Sequence, residues 1–212
     1  MDRIKEERKT IIITTLLSLF PLILGLILWN RLPDQIAMHY DISGTADSYY
    51  SKPVAVWFNL IFPAVQLICA FGTMSDPKNS DKNDKVINLV MWIIPLIAAF
   101  TSIVIYGNAL NMNIDVRVSI MILVGFVFIV IGNYLPKCRQ NYTIGIKVPW
   151  TLNDQENWDK THRFAGYVFV IGGILMFISA FIGNYYISII GIIIISILPI
   201  GYSYLLYIGK KA

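Results

Sequence analysis

The sequence predicts an all-α, polytopic membrane protein with six transmembrane helices. Of its 212 residues, 56% are hydrophobic and only 14% are charged, whereas soluble domains contain about 25% charged residues. The apolar residues fall into six blocks, each close to the roughly 20 residues that a helix needs to cross the hydrocarbon core of a bilayer. These blocks are 11–29, 54–74, 86–110, 118–135, 164–182 and 187–208.

The distribution of basic residues predicts which connections lie inside the cell. Most of them fall in the two tails and in the second and fourth connections, and the other connections contain only Arg31, Lys52 and Arg117. By the positive-inside rule, both termini and the loop 136–163 are cytoplasmic and the loop 30–53 is extracellular. The cytoplasmic set is Arg3, Lys5, Arg8, Lys9, Lys78, Lys82, Lys85, Lys137, Arg139, Lys147, Lys160, Arg163, Lys210 and Lys211. Because they flank the apolar blocks, we interpret them as orientation signals and lipid contacts, with no direct binding of nucleic acid.

The order of blocks and loops divides the chain into two predicted halves, 1–112 and 113–212. Each half contains a helix, a long loop and then two helices, and a Leu-Pro pair ends the first helix at Leu32-Pro33 and the fourth at Leu135-Pro136. Since three spans per half would invert the second copy, a 3+3 inverted repeat is one hypothesis. The alternative is that Leu-Pro is common punctuation at helix ends.

The loop 30–53 is predicted to contain an extended segment. Ile36, Met38 and Tyr40 alternate with more polar residues, as in a half-buried strand, and Ser43-Gly44 supplies a turn. This loop is either an ordered surface or a recognition site for an extracellular peptide. Its candidate residues are His39, Asp41, Gly44, Asp47, Lys52 and Pro53.

The loop before the fifth block contains the most chemically specific stretch, residues 141–163, here called the motif segment. Trp158 and His162 are four residues apart and would share one face of a helix. Asn153 and Glu156 have the spacing of a capping box, which predicts a helix start near Asn153 that continues into the fifth block. The alternatives are a structural clasp and a docking site for a partner. The candidate residues are Gly145, Lys147, Pro149, Trp150, Thr151, Trp158, Thr161, His162 and Arg163.

The apolar blocks contain few polar side chains. No ionisable residue lies in the middle of a block, which argues against a proton relay or an ion-coupled pump. Asn59 and Gln66 lie on one face of the second helix. They either form hydrogen bonds between helices or line a cavity.

The sequence contains no catalytic motif. A zinc-protease H-E-x-x-H and a G-x-S-x-G nucleophile elbow are both missing. The two histidines, His39 and His162, are predicted on opposite sides of the membrane, so a histidine-rich metal site is excluded. We therefore assign no catalytic residue, metal or cofactor and expect that the protein is not an enzyme.

Two stretches of the motif segment, IGIKVPWTL at 144–152 and WDKTHR at 158–163, resemble the signature of the SdpI family, which comprises bacterial membrane immunity and signalling proteins. The loop 30–53 resembles the short domain that precedes this signature in many members. The resemblance implies a six-span protein of the bacterial cytoplasmic membrane. It would give resistance to a secreted antimicrobial toxin peptide and could also sequester a cytoplasmic autorepressor. The alternative function is a small transporter or flippase.

Overall fold

The computed structural model describes residues 7–78 and 84–210. Within these ranges, six helices are long and apolar enough to cross a membrane, which confirms the predicted fold class. Arg3, Lys5, Lys82 and Lys211, which belong to the predicted charge bias, lie outside the described residues. The spans are Arg8–Ile27, Lys52–Met74, Lys85–Ala109, Val116–Lys137, Gln155–Ile182 and Tyr185–Gly209.

The first two spans are each interrupted. The first consists of helices Arg8–Ser18 and Phe20–Ile27, and Pro21 lies in the first turn of the second helix, where its missing N–H leaves no partner unsatisfied. The second consists of helix Lys52–Trp57, a 3-10 turn Phe58–Leu60 and helix Ile61–Met74. The third helix begins at Asp84, and the fourth, Val116–Tyr134, ends in a 3-10 turn.

The loop between the first two spans contains a β-hairpin. Strands β1 (Gln35–Tyr40) and β2 (Ala46–Ser51) pair antiparallel, with Ile36 opposite Tyr50. Gly44 has φ +82° in the turn, which a glycine adopts without strain. The predicted extended segment and turn are confirmed. The second strand was not predicted, because alanine, aspartate and serine are poor strand formers and dominate its sequence.

The chain forms two compact units. One contains 7–71 and 89–120, and its core includes Leu22, Ile36, Val56 and Tyr106. The other contains the described residues of 72–88 together with 121–210. The proposed division at 112/113 and the inverted repeat remain predictions.

In the second unit, the fourth and fifth spans pack backbone to backbone at glycine. A β-carbon added to Gly125 would lie 2.9 Å from the Gly173 carbonyl oxygen, and one added to Gly132 would lie 2.8 Å from that of Gly166. Small residues permit such close approach between helices in a membrane. The fifth span, which begins with the end of the motif segment, is thereby held against the fourth.

Candidate functional site

The motif segment is organised around two stacked rings at the start of the fifth span. Trp158 and His162 are 0% and 1% exposed, and their ring centroids lie 4.0 Å apart at an interplanar angle of 21°. Trp158 Nε1 donates to the Cys138 carbonyl oxygen at 2.8 Å. The predicted shared face is therefore present, and the tryptophan ties the helix to the chain that leaves the fourth span.

His162 joins its own helix to the extended part of the motif segment. Its Nδ1 lies 2.8 Å from the Trp158 carbonyl oxygen, and its Nε2 lies 3.0 Å from the backbone nitrogen of Ile146. Because a backbone N–H is a donor, Nε2 must accept and Nδ1 must donate. The imidazole is thus neutral with its proton on Nδ1, and protonation of Nε2 would remove the acceptor of Ile146.

Gly145 allows this close approach. Its φ of +114° lies in the region that favours glycine. A β-carbon at this position would overlap His162 Nε2 and lie 3.2 Å from the Trp158 ring. The chain at residue 145 therefore lies directly on the two rings.

Two threonines hold the segment on either side of the rings. Thr151 Oγ1 donates to the Ile146 carbonyl oxygen at 2.8 Å and accepts from the Val148 N–H at 3.1 Å, which closes the turn in front of the short helix Pro149–Leu152. Thr161 Oγ1 donates to Asn157 Oδ1 at 2.9 Å. Both threonines are fully buried, so they position the segment.

Trp150 connects the motif segment to the sixth span. Its Nε1 donates to Ser203 Oγ, and its ring stacks on Tyr207 with centroids 5.7 Å apart. Asn157 Nδ2 donates to the Ser203 carbonyl oxygen at 3.0 Å. Ser203 thus receives a hydrogen bond from each side of the helix start.

The fifth helix has its N-cap one residue later than predicted. It spans Gln155–Ile182 and its N-cap is Asp154, whose carboxylate accepts from the N–H groups of Glu156 and Asn157. The assignment of Asn153 as the cap was wrong, because its side-chain amide donates to the Pro149 carbonyl oxygen at 2.8 Å. As predicted, the helix continues without a break into the apolar block.

The basic residues of the segment lie at its surface. Lys147 is exposed, and its Nζ donates to the Thr143 carbonyl oxygen at 2.9 Å. Arg163 is exposed one residue after the buried His162. Lys160 pairs with Glu156 at 2.7 Å. The buried residues of the segment thus fix its shape, while its cations remain accessible.

Two buried residues that the sequence analysis missed hold the start of the segment. Asp76 accepts from the Tyr142 N–H at 2.7 Å and from Thr143 Oγ1 at 3.0 Å. Asn141 Oδ1 accepts from the Thr143 and Ile144 N–H groups at 2.9 and 2.6 Å. Asp76 precedes Pro77, a turn signal, but its contacts across more than 60 residues have no local signature.

Cys138 lies beside this turn. Burial raises the pKa of its thiol to about 11, despite a hydrogen bond from Asn141. A thiol with such a pKa stays protonated at neutral pH and is a poor nucleophile. Its contacts assign it a packing role next to Trp158.

In the β-hairpin, His39 and Asp47 form an exposed pair, with His39 Nδ1 2.6 Å from Asp47 Oδ1. The Asp41 carboxylate holds the turn by accepting from the Ser43 side chain and from the backbone of Ser43 and Thr45, and these hydrogen bonds lower its pKa. His39 also borders a cavity of about 240 Å³, lined by Met38, His39, Tyr50, Val54, Ala55 and Phe58.

Lys52 and Pro53 mark the entry to the second span. Lys52 Nζ donates to the Leu32 carbonyl oxygen at 2.8 Å and lies 5.7 Å from the centre of the Trp29 ring. Pro53 occupies the first turn of the helix, where its missing N–H is tolerated. Lys52 therefore ties the hairpin to the end of the first span.

The intramembrane polar residues make contacts within the first unit. Asn59 Nδ2 donates to Tyr106 Oη at 2.8 Å, and Gln66 Nε2 donates to Thr14 Oγ1 at 2.7 Å. Both side chains are buried. These contacts favour hydrogen bonding between helices over the lining of a cavity.

Among residues 7–78 and 84–210, no three His, Cys, Asp or Glu side chains group closely enough to hold a metal ion.

Comparisons with known proteins show what these features are similar to. Residues 137–203 match the model of the SdpI/YfhL protein family, and residues 16–67 match that of a domain of unknown function, DUF1648. Residues 137–203 therefore resemble the SdpI/YfhL family. It is 28% identical over 189 residues to the Immunity protein SdpI of Bacillus subtilis (strain 168), covering 87% of both chains. No solved structure matches the chain.

The matched SdpI/YfhL region contains every candidate residue of the motif segment. It includes the stacked rings, both threonines and Ser203. It covers the whole fifth helix and most of the sixth. Asp76 lies outside both matched regions. The hairpin and its cavity fall within the DUF1648 match.

Proposed function

We propose that the protein is an immunity protein of the bacterial cytoplasmic membrane that protects its cell from a secreted antimicrobial toxin peptide. The observation that carries this proposal is the similarity to an immunity protein over 87% of both chains. The motif segment supports it, because its buried rings and threonines form an ordered structure within the region that matches the family.

Recognition of the toxin is assigned to the extracellular hairpin. His39 and Asp47 are exposed there, with side-chain exposures of 69% and 44%. The adjoining cavity is lined mainly by apolar side chains and would accept an apolar side chain of a peptide. In this arrangement the toxin meets the protein at the outer face of the membrane.

Signalling is assigned to the exposed face of the motif segment. Trp158 and His162 are too buried to contact a partner directly, so a docked repressor would meet Lys147 and Arg163 instead. Both cations are exposed, and both belong to the motif segment. We propose that a cytoplasmic repressor protein binds this face and is sequestered at the membrane.

The test separates resistance from signalling. Cells that express the protein or a variant at equal membrane abundance are challenged with secreted peptides from the native host. His162→Ala should abolish resistance, because it removes the acceptor of the Ile146 N–H and the ring that stacks on Trp158. His39→Ala should weaken resistance, because it removes an exposed side chain of the hairpin. Trp92→Ala, at a half-exposed tryptophan in the third span, is the control and should protect like the wild type. Unchanged protection by His162→Ala would remove the motif segment from the function.

A second experiment tests whether the repressor binds the exposed cations, by reversing their charge. Lys147→Glu with Arg163→Glu should release the repressor to the cytosol in a fractionation assay and leave resistance intact, since neither side chain supports the buried rings. Lys137→Glu, at the end of the fourth span, is the matched control. Repressor that stays with the membrane in the double variant would contradict the assigned docking face.

A further inference from the structure

A cavity opens where the motif segment meets the end of the sixth span. Its volume is about 410 Å³, within the usual range of small-molecule sites. Its lining comes from Pro149, Trp150, Asn153, Asp154, Tyr207 and Lys210. Because the sixth span ends at Gly209, this cavity lies at the level where a membrane helix passes into the headgroup region.

The charges beside the cavity balance. Lys210 Nζ lies 2.7 Å from Asp154 Oδ2 and 2.7 Å from Glu156 Oε2, and Glu156 also pairs with Lys160. A ligand with only negative charge would be repelled by the two carboxylates, and one with only positive charge by the two lysines. A zwitterion places each of its charges beside an opposite one and leaves the net charge unchanged.

The aromatic lining favours an ammonium group. Trp150 and Tyr207 are stacked at the cavity wall, and the Trp150 ring is fixed by its hydrogen bond to Ser203. Aromatic faces attract ammonium groups, and this attraction adds to that of a nearby carboxylate. The cavity therefore offers Asp154 and two rings to a cation, and Lys210 to an anion.

We propose that this cavity binds the headgroup of a zwitterionic aminophospholipid, with its phosphate at Lys210 and its primary ammonium between Asp154 and the Trp150–Tyr207 rings. The acyl chains would run along the face of the sixth span that carries Tyr207, where Ile193 and Ile200 are exposed by 50% and 46%. Since these side chains already face lipid in a membrane, the bound molecule continues the bilayer into the site. A soluble phosphoamine would lack this apolar contact.

The site gives the lipid a specific contact with the motif segment. Lys210 Nζ donates to Asp154, the N-cap of the fifth helix, and so connects it to the end of the sixth span. A bound phosphate would accept a further hydrogen bond from the same ammonium group. The lipid would thus bind where the fifth helix begins. This role is separate from the recognition of a toxin and does not depend on it.

The test measures which lipid the purified protein retains. The full chain is reconstituted in vesicles containing equal amounts of phosphatidylethanolamine and phosphatidylglycerol, extracted into mild detergent and examined by native mass spectrometry. We expect one retained phosphatidylethanolamine and little phosphatidylglycerol. Lys210→Gln should lower retention roughly tenfold, because one charge-assisted contact is lost, and Lys210→Arg should restore it.

Two further variants separate the site from general effects. Asp154→Asn keeps a capping side chain but loses the charge, and should reduce selectivity for the primary amine over phosphatidylcholine. Lys137→Gln is the matched control, since Lys137 also lies at a span end, 4.8 Å from the centre of an aromatic ring, and should retain lipid normally. Thermal unfolding of each variant confirms that it is folded.

Three results would overturn the proposal. Equal retention of phosphatidylglycerol would indicate unselective annular lipid. Unchanged retention by the folded Lys210→Gln variant would place the lipid elsewhere. Displacement of the lipid by O-phosphoethanolamine at comparable concentration would indicate a soluble ligand and not a membrane lipid.

Discussion

At the scale of single residues, His162 makes three contacts that hold the motif segment together. One imidazole accepts from Ile146, donates to Trp158 and stacks on the indole ring. Each of these contacts uses a different part of the ring, so few side chains could replace it. Its burial beside Gly145 also sets the path of the preceding chain.

The substitution His162→Phe should therefore destabilise the protein although it keeps an aromatic ring. It leaves the Ile146 N–H without an acceptor, which costs about 1–3 kcal/mol in a buried position. Thermal unfolding in detergent measures the loss. His39→Phe is the control, since the His39 side chain is 69% exposed and its replacement should change stability by less than about 0.5 kcal/mol. Equal effects at both histidines would contradict the assigned hydrogen bond.

Gly145→Ala should also lower the unfolding temperature, for two reasons. The residue has φ +114° and its β-carbon would overlap His162. Gly183 has φ +73° but no atom within 4 Å of an added β-carbon, so Gly183→Ala reports backbone strain alone, about 1–2 kcal/mol. A larger loss is expected at Gly145, because its φ lies farther from the left-handed helical region and its β-carbon also overlaps the ring. A loss no greater than at Gly183 would show that the ring moves away freely.

At the scale of elements, the glycine contacts between the fourth and fifth spans hold the fifth helix, which carries the end of the motif segment, against the fourth. The Gly125–Gly173 and Gly132–Gly166 approaches leave no room for a side chain. Any signal that moves the fifth helix must therefore move the fourth with it or separate the two backbones.

Gly132→Val should loosen this pair of helices and lower the unfolding temperature in detergent by several degrees, since overpacking of about 1–3 kcal/mol is typical where backbones touch. Gly201→Val in the sixth span is the control, because nothing lies within 4 Å of its added β-carbon. A stable Gly132→Val variant would show that the two helices do not pack through this face.

The N-cap of the fifth helix predicts a pH dependence. The hydrogen bond from Lys210, followed by that from the Asn157 N–H, lowers the pKa of Asp154. Its contribution to stability is therefore complete above the ordinary aspartate pKa and is lost as the pH falls through the lowered value. Asp154→Asn keeps a cap without the charge, so its unfolding temperature should fall less than that of the wild type below about pH 4. Parallel pH profiles would contradict this contribution.

At the scale of the whole molecule, composition and periodicity were sufficient to predict the six spans, because each apolar block is long enough to cross a bilayer. The hairpin turn and the Trp158–His162 face also followed from local spacing. Asp76 did not, since its partners are more than 60 residues away. The choice of Asp154 over Asn153 as the cap was equally hidden, because both residue types cap helices and only the contact with Pro149 decides between them.

Orientation in the membrane is a prediction from loop charge. A single cysteine placed at Asp47 should react with a membrane-impermeant maleimide on intact cells, whereas one at Lys147 should react only after permeabilisation. Cys69→Ser supplies the background, and Cys138 is buried. Labelling of the cysteine at position 147 in intact cells would contradict the predicted orientation and place the motif segment on the extracellular face.

The burial of the two stacked rings has a kinetic consequence. A binder that used Trp158 or His162 could engage only molecules in which the 144–148 stretch had lifted away from them. Its apparent affinity would be reduced by the fraction of open molecules, and its association rate would reach a ceiling at the frequency of opening. Gly145 lies against both rings. A substitution there would therefore change the association rate of such a binder without changing any residue that the binder contacts.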